Sequence, residues 1–173
     1  EINSIEESKS LFAISKNVSS GDSTNREGYA ARLYFKLLFG NEFTRDSENH
    51  INAALNYGYA VLRSFIAKTI VAYGLEPSFG IHHKSQLNQF NLADDIIEPY
   101  RPIIDNFVYQ NHMQWNEKFL TSQKAELQLL LNSATVIDGS RHSVANAIEL
   151  TVQSIISSFE SDDIKLKLPD LIG

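Results

Sequence analysis

The chain has 173 residues, a formal net charge of −6 and no cysteine. Without cysteine, disulfides, thiolate zinc sites, iron–sulfur clusters and a cysteine nucleophile are excluded, and any metal must be held by oxygen and imidazole ligands, which favours hard cations such as Mg²⁺ or Mn²⁺. The acidic balance is unlike that of most nucleic-acid-binding proteins, so contact with DNA would require a local patch, a metal ion or a partner.

The N-terminal part of the chain predicts two helices separated by a turn. The break is the segment SSGDSTN at residues 19–25, which ends in residues typical of N-caps. The second helix is expected from about Arg26 to Phe39, with Gly40 directly after its C-terminus. The apolar positions that predict the first helix are Ile5, Leu11, Phe12 and Ile14.

The longest predicted helix runs from His50 to Tyr73. Its apolar residues recur every three or four positions, which is the period of one helix face. Gly74 is expected to end it, and Pro77 prevents an immediate restart. The apolar positions are Ile51, Leu55, Tyr59, Leu62, Ile66, Ile70 and Tyr73.

The second half of the chain also predicts helices, with one interruption by strands. Asn91 is expected to cap a helix through Glu98, after which Pro99 and Pro102 kink the chain or restart it towards Asn111. Thr121 is expected to cap the next helix, which runs to Leu131.

The segment TVIDGSRH carries an Asp-Gly pair between β-prone flanks, which predicts a small hairpin at Asp138 and Gly139. Ser143 is expected to cap a last helix that ends near Phe159, and the tail SDDIKLKLPDLIG is expected to be loosely held. The predicted fold is a single all-α domain of about six helices with this one small hairpin.

Polar residues concentrate in GIHHKSQLNQFNLADDIIEPYRP, residues 80–102. The three-residue spacing of Asp95 and Glu98 puts both carboxylates on one helix face. Such acids more often serve only the helix dipole, and a histidine such as His83 is more often a hydrogen-bonded side chain than a ligand. Together with Glu27, at another helix start, His83 and Glu98 would hold a divalent cation if the helix ends converge on one cleft.

Three stretches together resemble one family: NREGYAARLYFKLLFG (residues 25–40), INAALNYGYAVLRS (51–64) and residues 80–102. They are similar to the catalytic domain of the CRISPR-associated integrase, the larger of the two core proteins that insert new spacers into a CRISPR array, and the form found with type II systems is the nearest likeness. The similarity is collinear from about Asn25 to Asp105 and weaker through IDGSRHSVANAIEL (137–150).

The resemblance implies a metal site. The family's glutamate opens an E-G-x-A-A-R-x-Y segment, which corresponds to Glu27, and its later acid closes a D-x-x-E/D helix start, which corresponds to Glu98 with Asp95 at the first position. The family's histidine precedes the amide-rich segment, and counting back from the acids favours His83 over its neighbour His82. By this resemblance Glu27, His83 and Glu98 are the catalytic metal ligands for Mg²⁺ or Mn²⁺, and Asp95 is an alternate ligand or orients His83.

The resemblance also implies an activity and partners. A prespacer 3′-hydroxyl attacks a phosphodiester of the CRISPR repeat with metal assistance, and Lys84 and Arg101 are candidate phosphate contacts, although either would serve equally well as solvated surface. Family members carry an N-terminal β-rich domain that pairs two subunits and docks the small second adaptation protein. Nothing here resembles it, and the chain begins at Glu1, so we interpret residues 1–173 as the C-terminal helical catalytic domain, with weak activity or none in isolation.

Neither a membrane-spanning apolar run nor a secretory leader is visible, so a location in the bacterial cytoplasm is expected. Two other functions stay open at this point. A non-catalytic helical interaction domain would use the same acids as caps, and a metal-dependent nucleotide phosphohydrolase would place paired His-Asp motifs on facing helices.

Overall fold

In a computed structural model of the protein, the described residues are Lys9, Leu11, Ala13, 26–160 and 165–170. The predicted break at residues 19–25 and most of the predicted first helix lie outside them, and Lys9, Leu11 and Ala13 are helical. The chain divides into two compact units, residues 1–52 and 53–173. The described part is mainly helical with a small antiparallel sheet, which confirms the predicted fold class.

The helices and the two hairpin strands follow the predicted order, and a third short strand near the C-terminus was not predicted. The helices are α1 (Arg26–Phe39), α2 (His50–Ala72), α3 (Asn91–Ile97), α4 (Arg101–Asn111), α5 (Thr121–Leu129) and α6 (Val144–Glu160). Short 3-10 turns follow α3, α4 and α5 at Glu98–Tyr100, His112–Gln114 and Leu130–Asn132. The strands are β1 (Ala134–Ile137), β2 (Ser140–Ser143) and β3 (Pro169–Asp170). None of the helices in the described residues has the length and apolar character needed to cross a membrane.

In the first unit, α1 ends where the sequence predicts. The N–H of Gly40 donates to the carbonyl of Lys36 at 2.9 Å, and Gly40 has a φ of 98°, which a residue with a side chain rarely adopts. Phe35, Phe39 and Phe43 then form an aromatic cluster, with 4.9 Å between the ring centroids of Phe39 and Phe43. The turn after α1 is therefore fixed both by backbone conformation and by aromatic packing.

The C-terminal part of α2 is the central buried helix of the second unit. Five of its predicted apolar residues are buried: Leu55, Tyr59, Leu62, Ile66 and Ile70. Gly74 follows the helix with a φ of 80°, and the N–H of Leu75 donates to the carbonyl of Ile70 at 3.0 Å, so the predicted stop is confirmed. Tyr73 lies just beyond the helix and is partly exposed, with its hydroxyl accepting a hydrogen bond from Gln153.

Two predicted helix caps are wrong. Asn91 is the first residue of α3 rather than its cap, and its side-chain amide donates instead to the carbonyls of Ser78 and Ser85. Thr121 is likewise inside its helix, where the preceding residue, Leu120, donates its N–H to the side-chain oxygen of Gln123 at 2.6 Å. In both cases the predicted cap lies one position inside the helix. The Asn91 amide bonds carbonyls of the preceding loop, and the side chain of Gln123 rather than that of Thr121 accepts the N–H at the start of the later helix.

The predicted hairpin and the cap of the last helix are confirmed. Strands β1 and β2 pair antiparallel, with Ile137 opposite Ser140, and both Asp138 and Gly139 have positive φ angles, as a two-residue primed turn requires. Ser143 caps α6, since its hydroxyl accepts the N–H of Asn146 at 3.1 Å.

The expectation of a loosely held tail is wrong for its described part. Strand β3 pairs with β1, and the N–H of Lys167 donates to the hydroxyl of Ser154 at 3.0 Å. Thr151 donates to the carbonyl of Lys167 at 2.7 Å and accepts a hydrogen bond from the buried Tyr100 hydroxyl. Burial raises the pKa of Tyr100 to about 12. The tail is thus fastened to α6 and the core by hydrogen bonds that no local sequence pattern reveals.

Candidate functional site

The carboxylate of Asp95, on α3, organises the loop that carries both histidines. It accepts backbone N–H groups from three consecutive residues, at 2.5 Å from Ile81, 3.0 Å from His82 and 3.0 Å from His83. The imidazole Nδ1 of His83 lies 2.6 Å from the same carboxylate. One partly buried acid therefore fixes both the backbone of residues 81–83 and the ring of His83.

The ionised form of Asp95 is stabilised by these bonds. Burial by itself would raise the pKa of Asp95, but the backbone donors of His83 and His82 and the His83 ring outweigh it, so the pKa lies below its ordinary value. Because an ionised carboxylate only accepts hydrogen bonds, the neutral imidazole of His83 carries its proton on the Nδ1 that faces Asp95, and Nε2 is then the acceptor nitrogen.

Gly80 allows the loop to pass this close to α3. A Cβ at this position would lie 2.2 Å from the carbonyl oxygen of His83, 2.8 Å from the Cβ of Asn91 and 3.0 Å from a carboxylate oxygen of Asp95. The first contact is with backbone and cannot be relieved by a side-chain rotation. A glycine is required here because of close approach.

A second carboxylate anchors the far end of the loop. Asp94 receives two hydrogen bonds from the guanidinium of Arg63 on α2, at 2.6 and 2.8 Å, and one from the amide of Asn88 at 2.7 Å. Burial would raise the pKa of Asp94, but the Arg63 and Asn88 hydrogen bonds lower it below its ordinary value. Arg63 also lies over the ring of Phe90, 4.7 Å from its centroid. The side-chain amide of Asn88 therefore ties the loop to α3 through Asp94.

Glu98 begins the 3-10 turn after α3, and its side chain is 53% exposed. Its carboxylate accepts a hydrogen bond from Nε of Arg101 at 3.0 Å. The guanidinium of Arg101 also lies over the ring of Tyr59, 4.6 Å from the centroid, and the Tyr59 hydroxyl donates to Asp105. Glu98 is thus an accessible acid with a cation beside it.

His83 and Glu98 line the same cleft, which has a volume of about 330 Å³. His82 and Asp95 also line it. The remaining lining is largely apolar and comes from the histidine loop, α3 and the turn after it, α6 and the tail: Ile81, Ile96, Pro99, Thr151, Ile155, Leu166 and Leu168. An imidazole and a carboxylate above an apolar floor suit a divalent cation bound next to a larger substrate.

The structure distinguishes the two histidines. His83 bonds Asp95 through its ring and is 41% exposed, whereas the bond of His82 to Asp95 is made by its backbone N–H. The two rings meet edge to face with centroids 5.5 Å apart. This geometry favours His83 as the oriented imidazole, and its role as a metal ligand stays a prediction.

The remaining predicted site residues are placed as follows. Lys84 lines a second, more polar cleft of about 420 Å³ next to His83. Glu27 is the second residue of α1, in the first unit, and its side chain is exposed. Across the described residues, no group of three or more histidine, aspartate or glutamate side chains is arranged to hold a metal ion. Glu27 therefore stays a prediction from the sequence.

The sequence analysis did not identify two features that hold the histidine loop in place, namely Gly80 and the Arg63–Asp94 pair. The acid next to Asp95 and the glycine before the histidines were visible in the sequence. Their partners were not, because Arg63 and Asp94 are 31 positions apart.

Comparisons with known proteins agree with the resemblance seen in the sequence. The family model described as "CRISPR associated protein Cas1" matches residues 2–137. The chain is 42% identical over 167 residues to the CRISPR-associated endonuclease Cas1 of Neisseria meningitidis serogroup C (strain 8013), covering 95% of this chain and 55% of that protein. It is 29% identical to "CRISPR-associated endonuclease Cas1 1" of Francisella tularensis subsp. novicida (strain U112), covering 93% of this chain and 56% of that protein.

A solved structure described as "Casposase bound to integration product" shares the fold. Its TM-score is 0.72 with 22% sequence identity, covering 91% of this chain and 55% of that one. The chain spans about half the length of these relatives.

Proposed function

The chain belongs to the Cas1 family of CRISPR-associated proteins, and we propose that it is the helical catalytic domain of a metal-dependent DNA integrase and endonuclease that inserts spacers into a CRISPR array. The observation that carries this proposal is the imidazole of His83, held by the partly buried Asp95 in a cleft that it shares with the carboxylate of Glu98. The names of the relatives support endonuclease chemistry.

The donors in the cleft fit a divalent cation. His83 offers Nε2 and Glu98 an exposed carboxylate, and Glu27 is the third ligand in this proposal on the basis of its sequence motif alone. One nitrogen and hard oxygens suit Mn²⁺ as well as Mg²⁺. The bound ion would neutralise charge on the phosphate undergoing attack and ease deprotonation of the nucleophile.

The residues of the chain prepare the site for that reaction. Asp95 fixes the tautomer and the orientation of His83. The imidazole therefore loses little conformational freedom when a metal ion binds. Lys84, beside His83, is placed to contact a neighbouring phosphate of the DNA backbone. In the reaction, the 3′-oxygen of one DNA strand forms a bond to phosphorus while the existing ester bond breaks, so no protein side chain is the nucleophile.

The proposed partners are prespacer DNA, the CRISPR repeat and the small second adaptation protein, with two copies of the family-length protein forming a homodimer. We place the reaction in the bacterial cytoplasm, where the DNA is. The net charge of −6 supports the need for partners, since the domain alone lacks the excess basic charge typical of autonomous DNA binders.

The proposal is tested by replacing the corresponding segment of the Neisseria relative with this chain and measuring strand transfer of a 3′-hydroxyl DNA end into a CRISPR repeat. We expect product with Mn²⁺ or Mg²⁺, none with a chelator, and none from the His83→Ala version. A folded hybrid that forms no product with either ion, while the unmodified relative does, would favour the non-catalytic interaction domain.

A further inference from the structure

The ion pair between Glu98 and Arg101 is exposed enough for another cation to replace Arg101 as the partner of the Glu98 carboxylate. The two side chains are 53% and 36% exposed and are joined by one hydrogen bond of 3.0 Å, from Nε of Arg101. Ion pairs this accessible contribute little to stability, because water screens both charges. A divalent cation in the cleft would therefore meet little resistance in taking the Glu98 carboxylate from Arg101.

Arg101 also makes a packing contact that does not depend on Glu98. Its guanidinium lies 4.6 Å from the centroid of the Tyr59 ring, and Tyr59 is buried and fixed by the hydrogen bond from its hydroxyl to the buried Asp105. A planar, delocalised cation stacks well on an aromatic face. Arg101 can therefore stay beside the cleft after its carboxylate partner has gone to the metal.

We propose that Arg101 is a positioning residue that acts as the exchangeable counter-ion of Glu98, occupying its carboxylate until a divalent cation displaces it. This inference rests on the proposed metal site. The guanidinium and the metal ion compete for the same carboxylate, and the guanidinium retained on Tyr59 repels the bound ion. Both effects weaken metal binding, so Arg101 lowers the affinity of the site. The displaced guanidinium is left with hydrogen-bond donors beside the cleft, where a DNA phosphate can accept them.

The test is a titration of the 173-residue chain with Mn²⁺ in the absence of DNA. The concentration of free Mn²⁺ is measured from its electron paramagnetic resonance signal, which gives the affinity. Because an exposed ion pair is typically worth up to about 1 kcal/mol, Arg101→Gln should bind Mn²⁺ about two- to five-fold more tightly than the parent. Arg101→Lys keeps the charge and should lie closer to the parent. Lys124→Gln removes a cation that lies over the Tyr57 ring but does not line the cleft, and should leave the affinity close to the parental value.

The outcomes separate this inference from the proposed function. Unchanged or weaker Mn²⁺ binding by Arg101→Gln overturns the inference, and so does equal tightening by Lys124→Gln, which would indicate only a general charge effect. The His83→Ala variant serves as the site control. If it binds Mn²⁺ as the parent does, the proposed metal site fails, and the exchange inference fails with it. Circular dichroism melts establish that each variant is folded.

Discussion

The carboxylate of Asp95 lies 2.6 Å from the imidazole Nδ1 of His83 and, at 3.0 Å, also accepts the backbone N–H of the same residue. Ring and backbone of His83 are therefore oriented by one group, 12 positions away in the chain. A carboxylate that holds a histidine in this way is a common supporting partner of metal-bound imidazoles. The relationship makes Asp95 the residue through which the geometry of the site can be perturbed without changing Glu27, His83 or Glu98.

Replacing Asp95 by Asn should damage both stability and function. The carboxylate oxygens serve four donors, and an amide offers them one oxygen and an NH₂ group that faces N–H donors. We expect a loss of about 1–3 kcal/mol in the free energy of unfolding, measured by denaturant titration. Mn²⁺ affinity or strand transfer should fall by about 10- to 100-fold.

Asp46→Asn is a matched control for the Asp95 experiment, since Asp46 is an exposed residue in the first unit. It should leave both the unfolding free energy and the Mn²⁺ affinity near the parental values. Parental strand transfer by a folded Asp95→Asn protein would show that His83 needs no orientation by this carboxylate.

The contribution of Asp95 to stability should depend on pH with a defined sign. Its pKa in the folded protein is below the ordinary value of 3.8, so folding favours the ionised form. The contribution is fully present above the unfolded-state value and is lost as the pH falls through the lower folded-state value. The difference in unfolding free energy between the parent and Asp95→Asn should therefore be constant around neutral pH and shrink below about pH 4. A difference that grows on acidification would contradict the hydrogen-bonding pattern around Asp95.

Gly80→Ala should disturb the histidine loop by sterics alone. The added methyl group would lie 2.2 Å from the carbonyl oxygen of His83, so the backbone of the loop has to move away from α3. We expect a loss of about 1–3 kcal/mol in unfolding free energy and a marked loss of strand transfer. Gly139→Ala is the matched control, because that glycine has a positive φ but nothing within 4 Å of an added Cβ. It should cost some stability and leave strand transfer intact.

Replacing each of the two histidines by alanine in turn should separate their roles. His83→Ala removes a half-exposed ring with one described hydrogen bond. The free energy of unfolding should therefore fall by only about 1 kcal/mol, while strand transfer disappears. His82→Ala keeps the backbone bond to Asp95 and should retain strand transfer. Thermal melts and transfer assays on the same preparations check both. Full activity in a folded His83→Ala protein would end the assignment, and loss of activity in His82→Ala would require both rings.

Several elements could be predicted from the sequence because their signals are local. The period of apolar residues in α2, the glycine after it with its positive φ, and the Asp138–Gly139 turn each depend on residues within a few positions. Backbone sterics and helix geometry act over that distance, so the pattern is sufficient. The missing cysteines likewise restricted any metal site to hard ligands and imidazole.

The hydrogen-bond partners of the polar residues, in contrast, depend on how the helices pack. Asn91 looked like a cap, yet its amide is bound to Ser78 and Ser85, and the tail that appeared loose is tied down through Lys167. The bond from Asp95 to the His83 ring and the stacking of Arg101 on Tyr59 likewise join residues on different elements. A hydroxyl, amide or carboxylate bonds whichever donor or acceptor packing brings near, and packing is set by the buried apolar faces of the whole second unit rather than by neighbours in the chain.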